Sequence, residues 1–219
     1  MCGRFTLTLD PGELQELLGL GPFMQMYQPR FNIAPTQPIT IVRDPEKKPV
    51  ELFRWGLVPS WSKDISIGSR MINARAETIS QKPSFRSAFK RRRCLILADG
   101  FFEWSSPEPG APKTPFYFQI DNGIPFTFAG LYEVWRSPEG DELPTCTIIT
   151  CSSNQFVRKY HNRMPVILPA ETRWDWLDNN MTQAALLDML KPFDAGEISA
   201  RPVSRALNNP RNDSPELLK

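Results

Sequence analysis

The stretch Cys94-Leu95-Ile96-Leu97-Ala98-Asp99-Gly100-Phe101-Phe102-Glu103-Trp104 decides how the rest of the chain is read. Its apolar residues run without the three-and-four spacing of an amphipathic helix. Asp99-Gly100 breaks them into two pieces of strand length, 94–98 and 101–104. Similar β-branched or aromatic runs, bounded by Gly and Pro, follow at 116–120, 126–129, 132–135 and 145–151. Upstream, Ile39-Thr40-Ile41-Val42 and Glu51-Leu52-Phe53-Arg54-Trp55 read as paired strands across a turn from Asp44 to Lys48. Helical spacing appears near 10–20, where Asp10 can cap, Pro11 fits the first turn and Leu14, Leu17 and Leu18 share a face. It returns at about 154–160, 171–177 and 182–190. Strands outnumber helices and do not alternate with them, which argues against a βαβ series. The prediction is an α+β fold: a single domain over residues 1–219, with a mostly antiparallel, barrel-like β-sheet core flanked by short helices. From about Asn208 the chain reads as a loop-like tail that ends the domain.

Composition narrows the function classes. Hydrophobic residues make up 41% and charged residues 23%, the balance of a soluble globular chain. No apolar run approaches the roughly 18–20 residues that span a bilayer, and the first ten residues lack the pattern of a secretory signal. The expectation is therefore a cytoplasmic protein, or a nuclear one in a eukaryote, with no membrane partner. The 22 prolines are spread along the chain and predict many short elements joined by rigid turns. Cys2, Cys94, Cys146 and Cys151 form no C-x-x-C pair and His161 is the single histidine, so reduced thiols and no metal site are expected. Net charge is only +2, yet 17 of the 26 basic residues are arginine, the side chain that grips phosphates with two parallel hydrogen bonds. The run Lys90-Arg91-Arg92-Arg93 is the densest basic segment, readable either as a nucleic-acid contact or as a solvated face leading into a strand.

Four blocks place polar groups where core packing alone would not ask for them. In Cys2-Gly3-Arg4, a cation lies beside a thiol and Gly3 permits close approach. In Asn73-Ala74-Arg75-Ala76-Glu77, an extended backbone would put Asn73, Arg75 and Glu77 on one face. Glu103 sits inside an aromatic strand, where burial would push its pKa up toward proton-shuttling range; alternatively it pairs with an arginine such as Arg75 or Arg163. His161, ahead of Arg163 in a turn, is either a satisfied structural histidine or an exposed acid/base group. Of the six tryptophans, Trp61 in Pro59-Ser60-Trp61 is the best placed for an exposed stacking platform, while most of the others read as packing.

Cys2 offers a chemistry of its own. Were Met1 removed, the α-amine and the thiol would stand on one carbon skeleton. The amine condenses with an aldehyde to an imine, and the thiol then closes a five-membered thiazolidine with the advantage of an intramolecular step. Near neutral pH both groups are partly in their reactive forms, since an α-amine titrates near 7.7–8.0 and a free thiol near 8.5. The alternative is an ordinary cysteine on a frayed terminus.

Taken together, Cys2-Gly3-Arg4-Phe5, Phe31-Asn32-Ile33-Ala34-Pro35-Thr36-Gln37, Arg54-Trp55-Gly56-Leu57-Val58-Pro59-Ser60-Trp61, Ile72-Asn73-Ala74-Arg75-Ala76-Glu77-Thr78, Gly100-Phe101-Phe102-Glu103-Trp104 and His161-Asn162-Arg163-Met164-Pro165 resemble the SOS-response-associated peptidase (SRAP) family, from residue 2 to about residue 205. The resemblance implies an enzyme that recognises abasic sites in single-stranded DNA, often at replication forks, and forms a thiazolidine crosslink through its second residue. It also implies self-cleavage or aminopeptidase removal of Met1, crosslink reversal and lyase activity as accompaniments. By that resemblance Cys2 is the nucleophile, Asn73 orients the amine or the opened sugar, Glu103 moves protons, and His161 assists ring opening and reversal. Arg4, Arg75 and Arg163 would hold phosphates, with Pro35, Trp61, Trp104 and Thr150 shaping the DNA path. No cofactor is implied, and a monomer is expected. Phe102 stands where the family often has tyrosine and Asn162 where aspartate is common, neither at a position assigned chemistry. Two rival readings are a cysteine peptidase built on Cys2, His161 and Glu103 or Asn73, and a non-covalent single-strand binder relying on arginines and aromatics.

Overall fold

The computed structural model describes residues 2–106, 108, 110–120 and 123–219. Met1, on whose removal the Cys2 chemistry depends, lies outside them. In chain order the elements are β1 (Phe5–Leu7), α1 (Pro11–Leu18), β2 (Arg30–Ile33), β3 (Pro38–Val42), β4 (Glu51–Trp55), β5 (Asn73–Arg75), α2 (Arg86–Arg91) and β6 (Arg93–Ala98). They continue with β7 (Gly100–Ser105), β8 (Thr114–Ile120), β9 (Phe126–Arg136), β10 (Glu142–Ser152), β11 (Arg163–Pro165), β12 (Ile167–Leu168), α3 (Gln183–Asp188) and β13 (Ile198–Pro202).

Five strands close on themselves in the order β10-β4-β3-β6-β9, because β9 pairs back onto β10. Closure removes the sheet edge that would otherwise stay unpaired. All pairs in the ring are antiparallel except β10 with β4, where Thr145 meets Arg54 and Cys146 meets Trp55 in parallel register. A second sheet, β13-β8-β7-β1-β2, packs beside the barrel. The expected α+β architecture with a barrel-like, mostly antiparallel core is the architecture observed.

The stretch from Cys94 to Trp104 is the joint between the two sheets: β6 belongs to the barrel and β7 to the second sheet, with Asp99 at the crossing. Asp99 is buried, and its carboxylate accepts from Thr6 Oγ1, Thr8 N and Thr8 Oγ1, which ties β1 to the joint. A buried carboxylate is tolerated only with such partners. Phe5 of β1 packs edge-on against Trp55 and Phe128 of the barrel, and Phe101 stacks on Phe118 at 4.9 Å, so one core serves both sheets.

Several expectations are corrected. The runs at 126–129 and 132–135 are one strand, β9, continuous through Gly130. A Cβ at Gly130 would lie 2.7 Å from Ile96 Cδ1 and 2.9 Å from Cys94 Sγ, so this glycine answers to packing and not to a turn. The helices expected at about 154–160 and 171–177 shrink to single 3-10 turns, Val157–Lys159 and Asp175–Leu177. The basic run is not a solvated face throughout: Lys90 and Arg91 end α2, while Arg93 is buried and donates to the carbonyls of Phe89, Lys90, Trp176 and Asp178. Those carbonyls would otherwise be orphans of a helix end and a turn. The tail beyond Asn208 is docked, with a 3-10 turn at Pro215–Leu218 and Leu217 packed with Phe102, Tyr117 and Leu207.

Candidate active site

Register builds the site. β1 pairs with β7 so that Phe5 faces Phe101 and Thr6 faces Gly100, and Phe102 N donates to Arg4 O at 3.0 Å. The same antiparallel run carries Cys2 toward Glu103. Cys2 is fully buried, which removes the frayed-terminus reading. Its carbonyl accepts from Asn73 Nδ2 at 2.8 Å, and its Sγ lies 3.9 Å from Arg4 O. Burial pushes the Cys2 thiol pKa well up, and the nearby Glu103 carboxylate pushes it in the same direction.

Asn73 reaches Cys2 because β5 adds to β10 in parallel, with Asn73, Ala74 and Arg75 against Ile148, Ile149 and Thr150. Its Oδ1 is buried and accepts no hydrogen bond among the described residues. The strand ends at Arg75, and Glu77 lies in the following 3-10 turn, so the single polar face expected for Asn73, Arg75 and Glu77 does not form. Instead Glu77 grips Arg163 with two hydrogen bonds of 2.9 and 3.0 Å.

Glu103 stands on β7 opposite Phe116, only 3% exposed. Burial raises its pKa above the ordinary glutamate value, with the His161 ring and the Lys113 ammonium pulling it partway back. Of the two arginines named as alternatives, Arg163 is held by Glu77 and Arg75 is exposed. His161 precedes β11. Arg163 N donates to His161 Nδ1 at 3.0 Å, and Arg163 O lies 3.1 Å from the same nitrogen, so Nδ1 can accept when bare and donate when protonated. Cys2, Asn73, Glu103 and His161, brought from four separate segments, thus share one neighbourhood.

The residues expected along a DNA path are less uniform. Trp61 is 60% exposed and Arg75 is exposed. Arg163 donates to Thr150 O (2.6 Å) and Thr150 Oγ1 (3.2 Å). Thr150 is fully buried, so it acts on Arg163 and offers no surface to a strand. Arg4 donates to Asn32 Oδ1 (2.6 Å), Leu207 O (2.7 Å) and Asn208 O (3.4 Å), and burial lowers its pKa. Trp104 Nε1 donates to Asn208 Oδ1 at 2.8 Å, so the tail joins Arg4 to Trp104. Pro35 occupies the turn Ala34-Pro35-Thr36-Gln37, where Gln37 N donates to Ala34 O and Thr36 has φ +71°, a strained value for a β-branched residue.

Two residues of this neighbourhood carry no assigned role in the sequence reading of the site: Asn32, and Glu77, expected only as part of a polar face. Asn32 is fully buried and its amide donates to the carbonyls of Leu207, Asn209 and Asn212 while accepting from Arg4, the clamp that docks the tail. Glu77 sets the orientation of Arg163. Both lie inside the quoted motifs, and an asparagine in the apolar strand Arg30–Ile33 was the available signal. Among the described residues no three His, Cys, Asp or Glu side chains gather into a metal-holding group.

Comparison with known proteins gives the arrangement a lineage. Residues 1–210 match the family SOS response associated peptidase (SRAP). The chain is 44% identical over 223 residues to the abasic site processing protein YoqW of Bacillus subtilis, covering 100% of this chain and 99% of that one. It is 31% identical over 231 residues to the abasic site processing protein HMCES of Rattus norvegicus, covering 88% and 65%. A solved protein of Bacteroides thetaiotaomicron superposes with a TM-score of 0.87 at 26% identity, covering 100% of this chain and 99% of that one. A match along nearly the whole sequence, with that fold, places the chain in the SRAP family.

Proposed function

We propose that this chain processes abasic sites in single-stranded DNA by forming a covalent thiazolidine link through Cys2 once Met1 is gone. The observation that carries the reading is the placement of Cys2, held by Asn73 through its carbonyl and buried beside Glu103. Relatives named as abasic site processing proteins support it.

In this reading hydrolysis of the Met1–Cys2 bond, by the site itself or by an aminopeptidase, frees the α-amine. Asn73 Oδ1 is a buried acceptor within the same side chain that holds the Cys2 carbonyl, and it orients the amine. His161 protonates the ring oxygen of the abasic sugar as the ring opens to the aldehyde. The amine adds to that carbonyl carbon, and Glu103, whose pKa burial raises toward that of a general acid, gives a proton to the departing hydroxyl, which leaves as water. The Cys2 thiol, kept protonated by burial, passes its proton to the Glu103 carboxylate as sulfur attacks the imine carbon. Attack on the protonated imine leaves the ring nitrogen neutral with its own hydrogen, and Glu103 holds a proton again. The sum is aldehyde plus aminothiol giving thiazolidine plus one water. An imine left open invites β-elimination of the strand; ring closure removes it and shields the lesion. Reversal retraces the same steps, and elimination from the reopened imine is the lyase branch.

Intact-mass measurement after mixing with an abasic oligonucleotide tests the reading. The expected adduct equals the chain without Met1 plus the oligonucleotide minus one water. An adduct that retains Met1, or none at all with binding intact, would overturn it.

A further inference from the structure

The basic segment ahead of β6 takes no part in the site described above. Residues 78–93 contain six Lys or Arg and no Asp or Glu. Two of the six are used inside the protein: Arg93 on the carbonyls already named, and Arg92 on Glu133 at 2.9 Å and Ser87 Oγ at 3.0 Å. The other four, Lys82, Arg86, Lys90 and Arg91, are exposed, and among the described residues none of them pairs with a carboxylate.

Their placement is regular. Arg86 N donates to Lys82 O at 2.9 Å, so the turn ahead of α2 is already helical, and Lys82, Arg86 and Lys90 follow one another at four-residue steps along one side. Ala88 and Phe89 are buried on the other side. Helix stability does not account for this ridge. Lys90 and Arg91 suit the carbonyl end of α2, but Arg86 at its first position and Lys82 ahead of it stand at the end where carboxylates, not cations, stabilise a helix. With a net charge of only +2 for the whole chain, the ridge is a local excess.

The ridge begins where the site ends. β5 carries Asn73 and Arg75, the 3-10 turn Ala76–Thr78 follows, and Lys82 comes four residues later, so the cations continue from Arg75 along one stretch of chain. Two helical steps of four residues rise about 12 Å, over which a nucleic-acid strand presents about three phosphates. An acidic protein segment would also meet a cationic surface, but even spacing and continuity with Arg75 favour a uniform polyanion already bound at the site. We propose that Lys82, Arg86 and Lys90 grip phosphates of the bound DNA strand several nucleotides from the lesion, a second contact that rests on the reading of the Cys2 site as one that acts on DNA. Such a contact adds affinity without sequence preference and without touching the chemistry.

Fluorescence anisotropy of the full-length chain tests this, with a strand of about 30 nucleotides carrying a central tetrahydrofuran, an abasic analogue without an aldehyde. Lys82→Gln/Arg86→Gln/Lys90→Gln should keep the wild-type thermal midpoint and bind this strand at least about five-fold more weakly at about 0.1 M salt. The salt dependence of its log Kd should be shallower by about 2 units, about 0.7 for each lost phosphate contact. A strand of about six nucleotides centred on the same analogue should bind both proteins equally, and the maximal coupling rate on a saturating abasic strand should be unchanged. If the triple variant does not fold, Lys82→Gln, ahead of the helix, should alone lower the slope by about 0.7 unit. An unchanged slope, an equal loss on the short strand, or binding of polyglutamate that falls in the variant while strand binding does not would each overturn the proposal, the last by assigning the ridge to an acidic protein. The analogue forms no adduct, so failure here leaves the Cys2 reading standing, and absence of the Cys2 adduct leaves this measurement intact.

Discussion

Four thiols are buried in this chain; Cys151 lies on β10 near Arg163 and Glu77, and the other three divide between two regions. Cys94 and Cys146 lie on strands of the closed barrel, where burial raises both pKa values and the Cys94 thiol raises that of Cys146 further. Cys2 lies three residues ahead of β1 of the second sheet, equally buried, yet with the Glu103 carboxyl beside it and an amide on its own carbonyl. Burial makes a thiol inert by holding its proton. What separates the two regions is whether a proton acceptor has been buried with it. The barrel fills its interior with packing, as the close approach of Gly130 to Cys94 shows. The second sheet places a carboxylic acid where packing alone would have accepted another aromatic.

The widest separation is expected from cysteine substitutions. Cys2→Ala should abolish covalent coupling to an abasic oligonucleotide on a denaturing gel. Cys94→Ala and Cys146→Ala should leave the coupling rate unchanged while lowering stability by about 1–3 kcal/mol in urea unfolding, through the cavity left in a dense core. A barrel substitution that stopped coupling without changing stability would erase the distinction.

Next in size is the acid. Glu103→Gln should slow coupling by roughly 10²–10⁴-fold, the span of general acid–base contributions, with oligonucleotide binding retained. Stability should move the other way at higher pH. A carboxyl whose folded pKa is raised favours the folded state while protonated, and that advantage is lost as pH climbs from the unfolded glutamate value of about 4.3 through the higher folded value. The unfolding midpoint of wild type should therefore fall relative to Glu103→Gln across that window. Parallel profiles would mean that Glu103 is not held in a desolvated site.

The architecture was legible because its elements are short and strongly patterned. The hairpin of β3 and β4, the helix cap at Asp10 with Pro11 in the first turn, and the split at Asp99-Gly100 all follow from local chemistry. The four chemical positions stood out as polar residues among apolar ones, and their roles came by resemblance. What could not be read was long-range satisfaction. Nothing local says that Arg93 would be consumed by four carbonyls, that Asn32 would hold a tail some 175 residues away, or that Arg163 would prefer Glu77 to Glu103. Such pairings are fixed by tertiary contacts that propensity does not encode.

Asn32→Ala should rank third. It removes three hydrogen bonds to tail carbonyls and one acceptor of Arg4, leaving Asn212 O without a donor among the described residues, and the loss should reach about 1–3 kcal/mol in thermal or urea unfolding. Limited proteolysis should then cut within the tail after Leu207. The same contrast between sites of packing and sites of chemistry applies here: coupling should slow only in proportion to the fraction unfolded, since Asn32 touches Arg4 and not Cys2.

The smallest effect concerns two arginines used differently. Arg4 is committed to the protein's own tail, whereas the Arg163 guanidinium is held by a Glu77 carboxylate whose side chain is 48% exposed. Arg163 holds the Glu77 pKa below its usual range, so the pair's contribution to stability is present above the unfolded glutamate value and is lost as pH falls through the lower folded one. With that exposure it is worth under about 1 kcal/mol, and Glu77→Gln should barely move the unfolding midpoint. Its effect should instead appear on DNA. Removing the carboxylate leaves Arg163 a net cation, so binding to single strands should tighten a few-fold and the salt dependence of log Kd should steepen by about 0.7 unit, the increment for one added phosphate contact. Arg163→Gln should reverse both changes, and the double variant should match Arg163→Gln alone, because Glu77 can act on a strand only through the arginine it holds.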